Sequence, residues 1–467
     1  MAALLLAAVV MFDPRVFNDG DTYWHLATGQ WILAHHRVPQ VDVFSFSRPG
    51  APWVAHEWLS ELLMALAWRA DGWSGVVVLF AAAAATAAWL MVRRLSGAIG
   101  GVTLILTASL ALACMSGSLL ARPHLLALPV VIIWVLELMS ARSENRAPRL
   151  VFALLMMLWA NLHGSFVMGF LIAGAFGLEA LVQAEPGDRF KVVRDWGIFG
   201  AASLVAAMIT PYGVEGFIYP FQIMSMSSLP GIVEWRPTDF SKLSTFEIGL
   251  LTTMFVCLHR GVRVPIVRLI LLLGLLYLAL QHIRHQMVLA AVAPLILADP
   301  LALALGHQPR KTRLHGVFPL AFGAVAVLLV GSRLFAPIIR TDGVNSPVTA
   351  VAQLPPDLAG QPVMNDYGFG GYLIFKGVKP FIDGRSDMYG DAFTQAYFAA
   401  MGADRAGLDR FLDKHGVVWT IFAPGDPVVA VLDRDPSWVR IHSDGVAVVH
   451  RRVAATAPIN APPTSLH

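Results

Sequence analysis

The chain of 467 residues is 56% hydrophobic and only 14% charged, with a net charge of +3 and a mean hydropathy of +0.62. Soluble globular domains carry about 25% charged residues, so the composition excludes an ordinary soluble protein and reads as a polytopic helical membrane protein. The small net charge gives no footing for a nucleic-acid partner, and Cys114 and Cys257, both in apolar runs, read as small core residues rather than a disulfide or a metal pair.

Residues 1–12 are apolar but shorter than the roughly 20 that cross a bilayer. They lack the basic start of a signal peptide and read as a short first helix. Next comes Asn18-Asp19-Gly20-Asp21-Thr22-Tyr23-Trp24-His25, two carboxylates two residues apart with an imidazole four further on, at the edge of a membrane. From 13 to 71 the chain is polar and aromatic. Tyr23, Trp24, Leu26, Trp31 and Ile32 recur at helical spacing, which predicts a helix lying in the interface plane. Trp53, Trp58, Leu59, Leu62 and Leu63 predict a second, with Trp and Tyr at headgroup level.

Beyond 71, long apolar runs alternate with short loops. Basic loops at 93–94, 142–149, 189–194, 260–268 and 310–313 alternate strictly with loops poor in basic residues at 122–124, 161–164, 211–244 and 281–284. The positive-inside rule puts the basic loops in the cytoplasm. About eleven spans result, near 1–12, 72–92, 99–121, 124–140, 149–162, 165–183, 196–210, 246–259, 265–281, 286–304 and 315–334. An odd number of spans with a cytoplasmic N-terminus places the C-terminus outside. The Asp19-Gly20-Asp21 loop, the 211–244 loop and the C-terminal region then share one outer face of a multi-pass inner-membrane protein.

Residues 1–335 form the expected membrane domain, with interfacial helices in 13–71. From 336 the composition turns to Pro, Gly, Asp and mixed charge. Strands are predicted at 362–365, 380–383 and 417–422, an amphipathic helix at 406–415, and a hairpin of 438–442 and 446–451 around Ser443-Asp444-Gly445. Residues 336–453 thus read as a small periplasmic α/β domain, and the Ala/Pro-rich tail 454–467 as disordered.

Asp19 and Asp21 can present oxygens to one divalent cation, Mg²⁺ or Mn²⁺, or one of them can act as general base toward a hydroxyl. The structural alternative is an N-cap, with Asp21 just before the helix. His56-Glu57 could complete a metal shell or a proton relay, or be the polar face of an interfacial helix. Asn161 and His163, in Asn161-Leu162-His163-Gly164, stand at membrane depth, where polar groups are functional candidates; the alternative is a helical hairpin turn. Glu234 is a carboxylate that could meet Asp19 and Asp21 across a cavity. Arg122, His124, His282, Arg284 and His285 collect near the outer ends of spans, where Arg suits phosphate or snorkels toward headgroups. The Gly-rich stretch Asn365–Tyr372 and Asp383-Gly384-Arg385-Ser386-Asp387 read as turns.

Asp21-Thr22-Tyr23-Trp24-His25-Leu26-Ala27-Thr28-Gly29, Trp159-Ala160-Asn161-Leu162-His163-Gly164 and Asp383-Gly384-Arg385 resemble a group of bacterial GT-C-like membrane proteins. The short first span, acidic first outer loop, many-helix body and periplasmic domain are similar to the GT-C superfamily of protein O-mannosyltransferases, aminoarabinose transferases and oligosaccharyltransferases. The resemblance implies a polyprenyl-phosphate-linked sugar donor, membrane lipids as partners and an acceptor of unspecified class. It implies Asp19 or Asp21 as the catalytic acidic residue and Glu234 as a second outer carboxylate. His25, His56, Glu57, Arg122, His124, Asn161, His163, Arg284 and His285 are then expected to bind substrate. The oligosaccharyltransferase acceptor motif is not found in the C-terminal region. A non-catalytic GT-C-like scaffold of an envelope polysaccharide assembly is the alternative expectation.

Overall fold

The structure, a computed structural model, describes residues 1–307, 317–402 and 404–453; the basic loop 310–313 and the tail 454–467 lie outside the described residues. The chain divides into two units. One comprises Met1–Gln40 and Pro52–Ile339, the other Val41–Ala51 and everything from Arg340.

The first unit is helical. A helix stands at each of the eleven places predicted for a span. Among the described residues five are long and apolar enough to cross a membrane: Trp58–Ala98, Gly101–Ser118, Pro123–Ser143, Phe166–Gln183 and Ile283–Ala304. Others are short; Ala2–Phe12 has 11 residues, about 16 Å at 1.5 Å per residue, roughly half of a hydrocarbon core. Trp58–Ala98 breaks at Asp71–Gly72, where Gly72 takes φ 51°, a conformation that glycine adopts without a Cβ penalty. The break separates the second predicted interfacial helix from the predicted span that follows it.

Helix packing follows from side-chain size. Val76, Val77, Phe80, Ala81, Ala84, Ala87, Ala88, Met91 and Leu95 are buried along one face, and the alanines allow the close approach that stabilises helix pairs in lipid. Pro123–Ser143 is buried on nearly every side, as expected of a helix apolar all round. Phe255, Leu258, Ile270, Leu273 and Tyr277 stand exposed on neighbouring helices. Apolar surface of this extent is not left to water, and with the apolar helices it makes this a membrane protein. The 211–244 loop holds the helix Val214–Met224 and a single turn, Val233–Trp235. It is pinned where Thr238 N donates to Leu280 O at 2.9 Å and Ile283 N to Arg236 O at 3.1 Å.

The second unit is built on a four-stranded sheet. Its strands β1 (Val363–Asn365), β2 (Trp419–Phe422), β3 (Trp438–Ser443) and β4 (Val448–Arg452) lie in the order β1-β2-β4-β3. β1 pairs parallel with β2 and the rest are antiparallel, with a bulge between Arg440 and His442. Val363, Trp419, Ile421 and Val449 pack with Leu358, Phe369, Leu373 and Val378 in one core. The stretch predicted as a strand at 380–383 joins no ladder. The Asn365 side chain takes the place of a neighbouring strand, accepting from Phe381 N at 2.8 Å and donating to Ile382 O at 2.8 Å.

Segment 383–387 is more than a turn. Arg385 is fully buried; Nε and Nη2 each donate to Asp383 at 2.7 Å, and Nη1 donates to Asp42 at 2.8 Å. The Tyr389 hydroxyl donates to Asp383 Oδ2 at 2.7 Å. Through Asp42 this network anchors Val41–Ala51, a piece of the segment between the helices Asp21–His35 and Trp58–Ala98, in the second unit.

Candidate functional site

The site starts at the helix Asp21–His35. Asp19 Oδ1 accepts the backbone N–H of Asp21 at 2.8 Å, an Asx turn that starts the helix. Asp19 therefore does the capping that the sequence assigns to Asp21. Asp21 lies in the first helical turn. Its Oδ1 accepts from Trp24 Nε1 at 2.9 Å and its Oδ2 lies 2.7 Å from Arg122 Nη2.

Arg122 arrives from a different connection. It precedes Pro123, which forces it into extended backbone (φ −128°, ψ 155°) at the start of Pro123–Ser143. Its Nη1 lies 3.3 Å from Asp19 Oδ2 and pairs closely with Glu234 Oε2. Glu234 is held by its own turn, because His282 Nδ1 donates to Trp235 O at 2.7 Å. Glu234 Oε1 stands 3.5 Å from Arg284 Nη1, and the Arg284 guanidinium covers the Trp235 ring at 4.2 Å. Three carboxylates thus converge on two guanidinium groups.

The electrostatics divide the acids. Burial, together with the like charges of Asp19 and Glu234, pushes the Asp21 carboxyl up to about 7 against the pull of Arg122. Burial also works against the charge of Glu234, but Arg122 and Arg284 outweigh it and hold the carboxyl at about 2. Burial opposes the charge on Arg122, yet Asp19, Glu234 and Asp21 keep it well above its ordinary value. Pairs of acids driven apart by their surroundings mark the groups suited to exchange a proton and to stay charged.

Beside this cluster lies a second, of carboxylates and imidazoles. Glu57 sits among three rings, with His25 Nε2 at 3.5 Å, His56 Nε2 at 3.6 Å and His163 Nε2 at 3.3 Å. His25 Nδ1 also meets Glu61 Oε1 at 3.0 Å. Burial first, then neighbouring cations, pushes His25 and His163 well below the usual imidazole range, so both are neutral. Burial raises Glu57. The helices 21–35 and 58–98 come close because Gly29 leaves no room for a Cβ against the Glu61 carbonyl.

The structure thus brings Asp19, Asp21, Arg122, Glu234 and Arg284 together, and His25, His56, Glu57 and His163 beside them. His124 Nε2 donates to Ser118 O at 2.7 Å, its ring 6.1 Å from that of His163. His285 lies against His282, ring centroids 5.8 Å apart, with no ion pair into the acidic cluster. Asn161 clamps helices: it accepts from Trp58 Nε1 at 2.6 Å and donates to Met157 O and Ile209 O at 2.8 and 2.9 Å. Two buried groups that the sequence does not single out join them. Glu61 is 1% exposed; its signal is a carboxylate four residues after Glu57 on an apolar helix, hence on the same face. Tyr212 has no such signal; its hydroxyl donates to Pro39 O at 2.7 Å and accepts from Ala55 N at 2.9 Å.

Among the described residues no three His, Cys, Asp or Glu side chains are grouped to hold a metal ion. A guanidinium, not an open position, faces the oxygens of Asp19 and Asp21, so this arrangement does not fit a resident divalent cation.

No protein-family model matches the sequence, and no curated protein is recognisably similar to it. Similarity emerges in three dimensions. The apo crystal structure of the Archaeoglobus fulgidus oligosaccharyltransferase superposes with a TM-score of 0.51 at 12% identity, covering 90% of this chain and 69% of that one. ArnT from Cupriavidus metallidurans, crystallised with undecaprenyl phosphate, superposes with a TM-score of 0.52 at 14% identity, covering 97% of each chain. Both are GT-C glycosyltransferases. The chain has the GT-C fold. At these identities the likeness is one of fold, and the acidic cluster must be judged on its own chemistry. This chain draws that cluster from four separate connections, at Asp19-Gly20-Asp21, Arg122, Glu234 and Arg284.

Proposed function

We propose that this protein is a membrane glycosyltransferase that moves a sugar from a polyprenyl-phosphate donor to an acceptor on the outer face of the bacterial inner membrane. The observation that carries the reading is the cluster itself: Asp21 poised near neutrality beside Arg122 and Arg284, on a GT-C fold. The undecaprenyl phosphate of the ArnT structure supports a polyprenyl-linked donor. All eleven helices are read as spans, with the N-terminus cytoplasmic and the second unit periplasmic.

Asp21 takes the proton from an acceptor hydroxyl, whose oxygen attacks the anomeric carbon. The bond from that carbon to the phosphate oxygen breaks with inversion, and its electron pair leaves on the polyprenyl phosphate. Arg122 and Arg284 stabilise the negative charge on the departing phosphate; positioned cations of this kind are worth most in a dry site. As Arg122 turns to phosphate it releases Asp21, whose proton affinity rises when the acceptor must be deprotonated. Glu234, low in pKa, stays charged and keeps the two arginines in reach. His25, Glu57, Glu61 and His163 form a buried group of carboxylates and imidazoles, with His25, Glu57 and His163 within electrostatic reach of Arg122. Arg122 supplies the positive charge, and Mg²⁺ or Mn²⁺ would reach Asp19 and Asp21 only after Arg122 leaves them.

The test is transfer from a defined polyprenyl-phosphate sugar by purified protein in proteoliposomes, with and without a chelator. Transfer that survives the chelator and is abolished in the Asp19→Asn/Asp21→Asn variant supports the reading. Undiminished transfer by that variant overturns it. No donor turnover, together with co-purification of another transferase, establishes the scaffold role instead.

A further inference from the structure

The helices that carry the acidic cluster at one end meet a different feature at the other. Arg122 precedes and Arg142 closes the helix Pro123–Ser143, which puts them about 30 Å apart at 1.5 Å per residue. Around Arg142 lies a cavity of about 350 Å³, walled by Arg94, Ser140, Arg142, Gln183, Arg268 and Asp299. This volume falls within the range of small-molecule sites, roughly 300–1,000 Å³.

Its charges do not balance internally. Arg94 Nη2 donates to Asp299 Oδ2 at 2.5 Å. Glu179, 2% exposed, is shared: its Oε2 accepts from Arg268 Nε at 2.9 Å and stands 3.9 Å from Arg142 Nε. Arg142 Nη2 donates to the neutral amide oxygen of Gln183 at 2.7 Å. The Arg142 side chain is only 9% exposed, yet its Nε has no hydrogen-bond partner. Three guanidinium groups face two carboxylates, and the buried Arg142 Nε–H has no hydrogen-bond partner. Leaving such a donor unsatisfied is costly, and a charged one more so.

We propose that this cavity is a second ligand site, which binds a phosphate group: the headgroup phosphate of an anionic phospholipid, or free phosphate. Guanidinium groups match phosphate oxygens in geometry and charge. Basic pockets between helix ends are where anionic headgroups settle. Leu136 and Met139 add an apolar wall beside the arginines, fitting a lipid whose glycerol backbone follows its phosphate. An anion here supplies the acceptor for Arg142 Nε and ties together five helices.

The full chain is purified in detergent and examined by native mass spectrometry after passage through vesicles containing phosphatidylglycerol or phosphatidylcholine. In parallel, its thermal unfolding is followed with and without inorganic phosphate. A single retained phosphatidylglycerol, lost about tenfold more readily in Arg142→Gln and in the rim variant Arg94→Gln, supports the site with lipid as its source. Stabilisation by inorganic phosphate in lipid-free protein, abolished in both variants, supports it with free phosphate. Arg142→Gln/Glu179→Gln removes the buried pair together and keeps the test readable if Arg142→Gln alone unfolds. Equal retention of phosphatidylglycerol and phosphatidylcholine by wild type and all variants, with no effect of phosphate, overturns the proposal.

Discussion

Arg385 and Arg122 are both arginines held by aspartates, and they are built for different ends. Arg385 is wholly buried, forked onto Asp383 and closed off by Asp42, with Tyr389 completing the Asp383 oxygens. Its three charges cannot be hydrated, and Nε, Nη1 and Nη2 of Arg385 each donate to a carboxylate. Arg122 is 17% exposed and shared among Asp19, Asp21 and Glu234, which are 16–28% exposed. No single carboxylate holds it as a fork, and one of the three, Asp21, sits near neutrality. The first arrangement is a lock whose value lies in staying shut. The second shares one guanidinium among three carboxylates, and under the proposed function it is a balance that an incoming phosphate tips.

Substitutions separate the two. Arg385→Ala is expected to have the largest effect, about 3–5 kcal/mol of destabilisation, because it strands Asp383 and Asp42 as buried charges; thermal unfolding of the purified chain measures it. Asp21→Asn is expected to leave the unfolding temperature close to wild type while transfer falls about 10²–10⁴-fold, the usual worth of a positioned general base. A fall in stability matching that of Arg385→Ala would make Asp21 a structural residue and erase the contrast. Arg284→Ala removes one charge-assisted contact to the departing phosphate and should lower both kcat and kcat/KM for the donor about tenfold or more.

The smallest expected effect is on pH dependence. If Asp21 is the base proposed, it acts only when deprotonated, and its carboxyl sits at about 7, so transfer should decline as the pH drops through neutrality. Asp19 contributes like charge that raises Asp21, so Asp19→Asn should move this acid limb to lower pH. A limb that stays in place would show that another group controls the rate.

Much of the helical body was legible in the chain. Each apolar run became a helix, and the hairpin around Ser443-Asp444-Gly445 formed where turn residues interrupt two β-rich runs. Those features rest on contacts between residues close in sequence. The strand expected at 380–383 failed because a side chain, Asn365, satisfies its backbone instead of a ladder. Among the described residues five helices are long and apolar enough to cross a membrane, and other places expected to hold spans carry apolar helices of 10–17 residues. In the site, the acidic pair and Glu234 could be named from residue type and the sidedness of loops. That Arg122 would stand between them could not, because it comes 103 residues after Asp19 and 112 before Glu234.

The sequence by itself determined that this is a helical membrane protein with charged groups gathered at the ends of its helices, since hydropathy and local periodicity act within a few turns. The tertiary structure alone decided which charges meet. Asp42 reaches Arg385 across 343 positions, and His25 reaches Glu61 across 36. Only the surroundings in the folded chain raise the proton affinity of one aspartate to near neutral pH while two arginines keep the glutamate beside it charged. A pKa belongs to a position in space, and no order of residues along a chain states it.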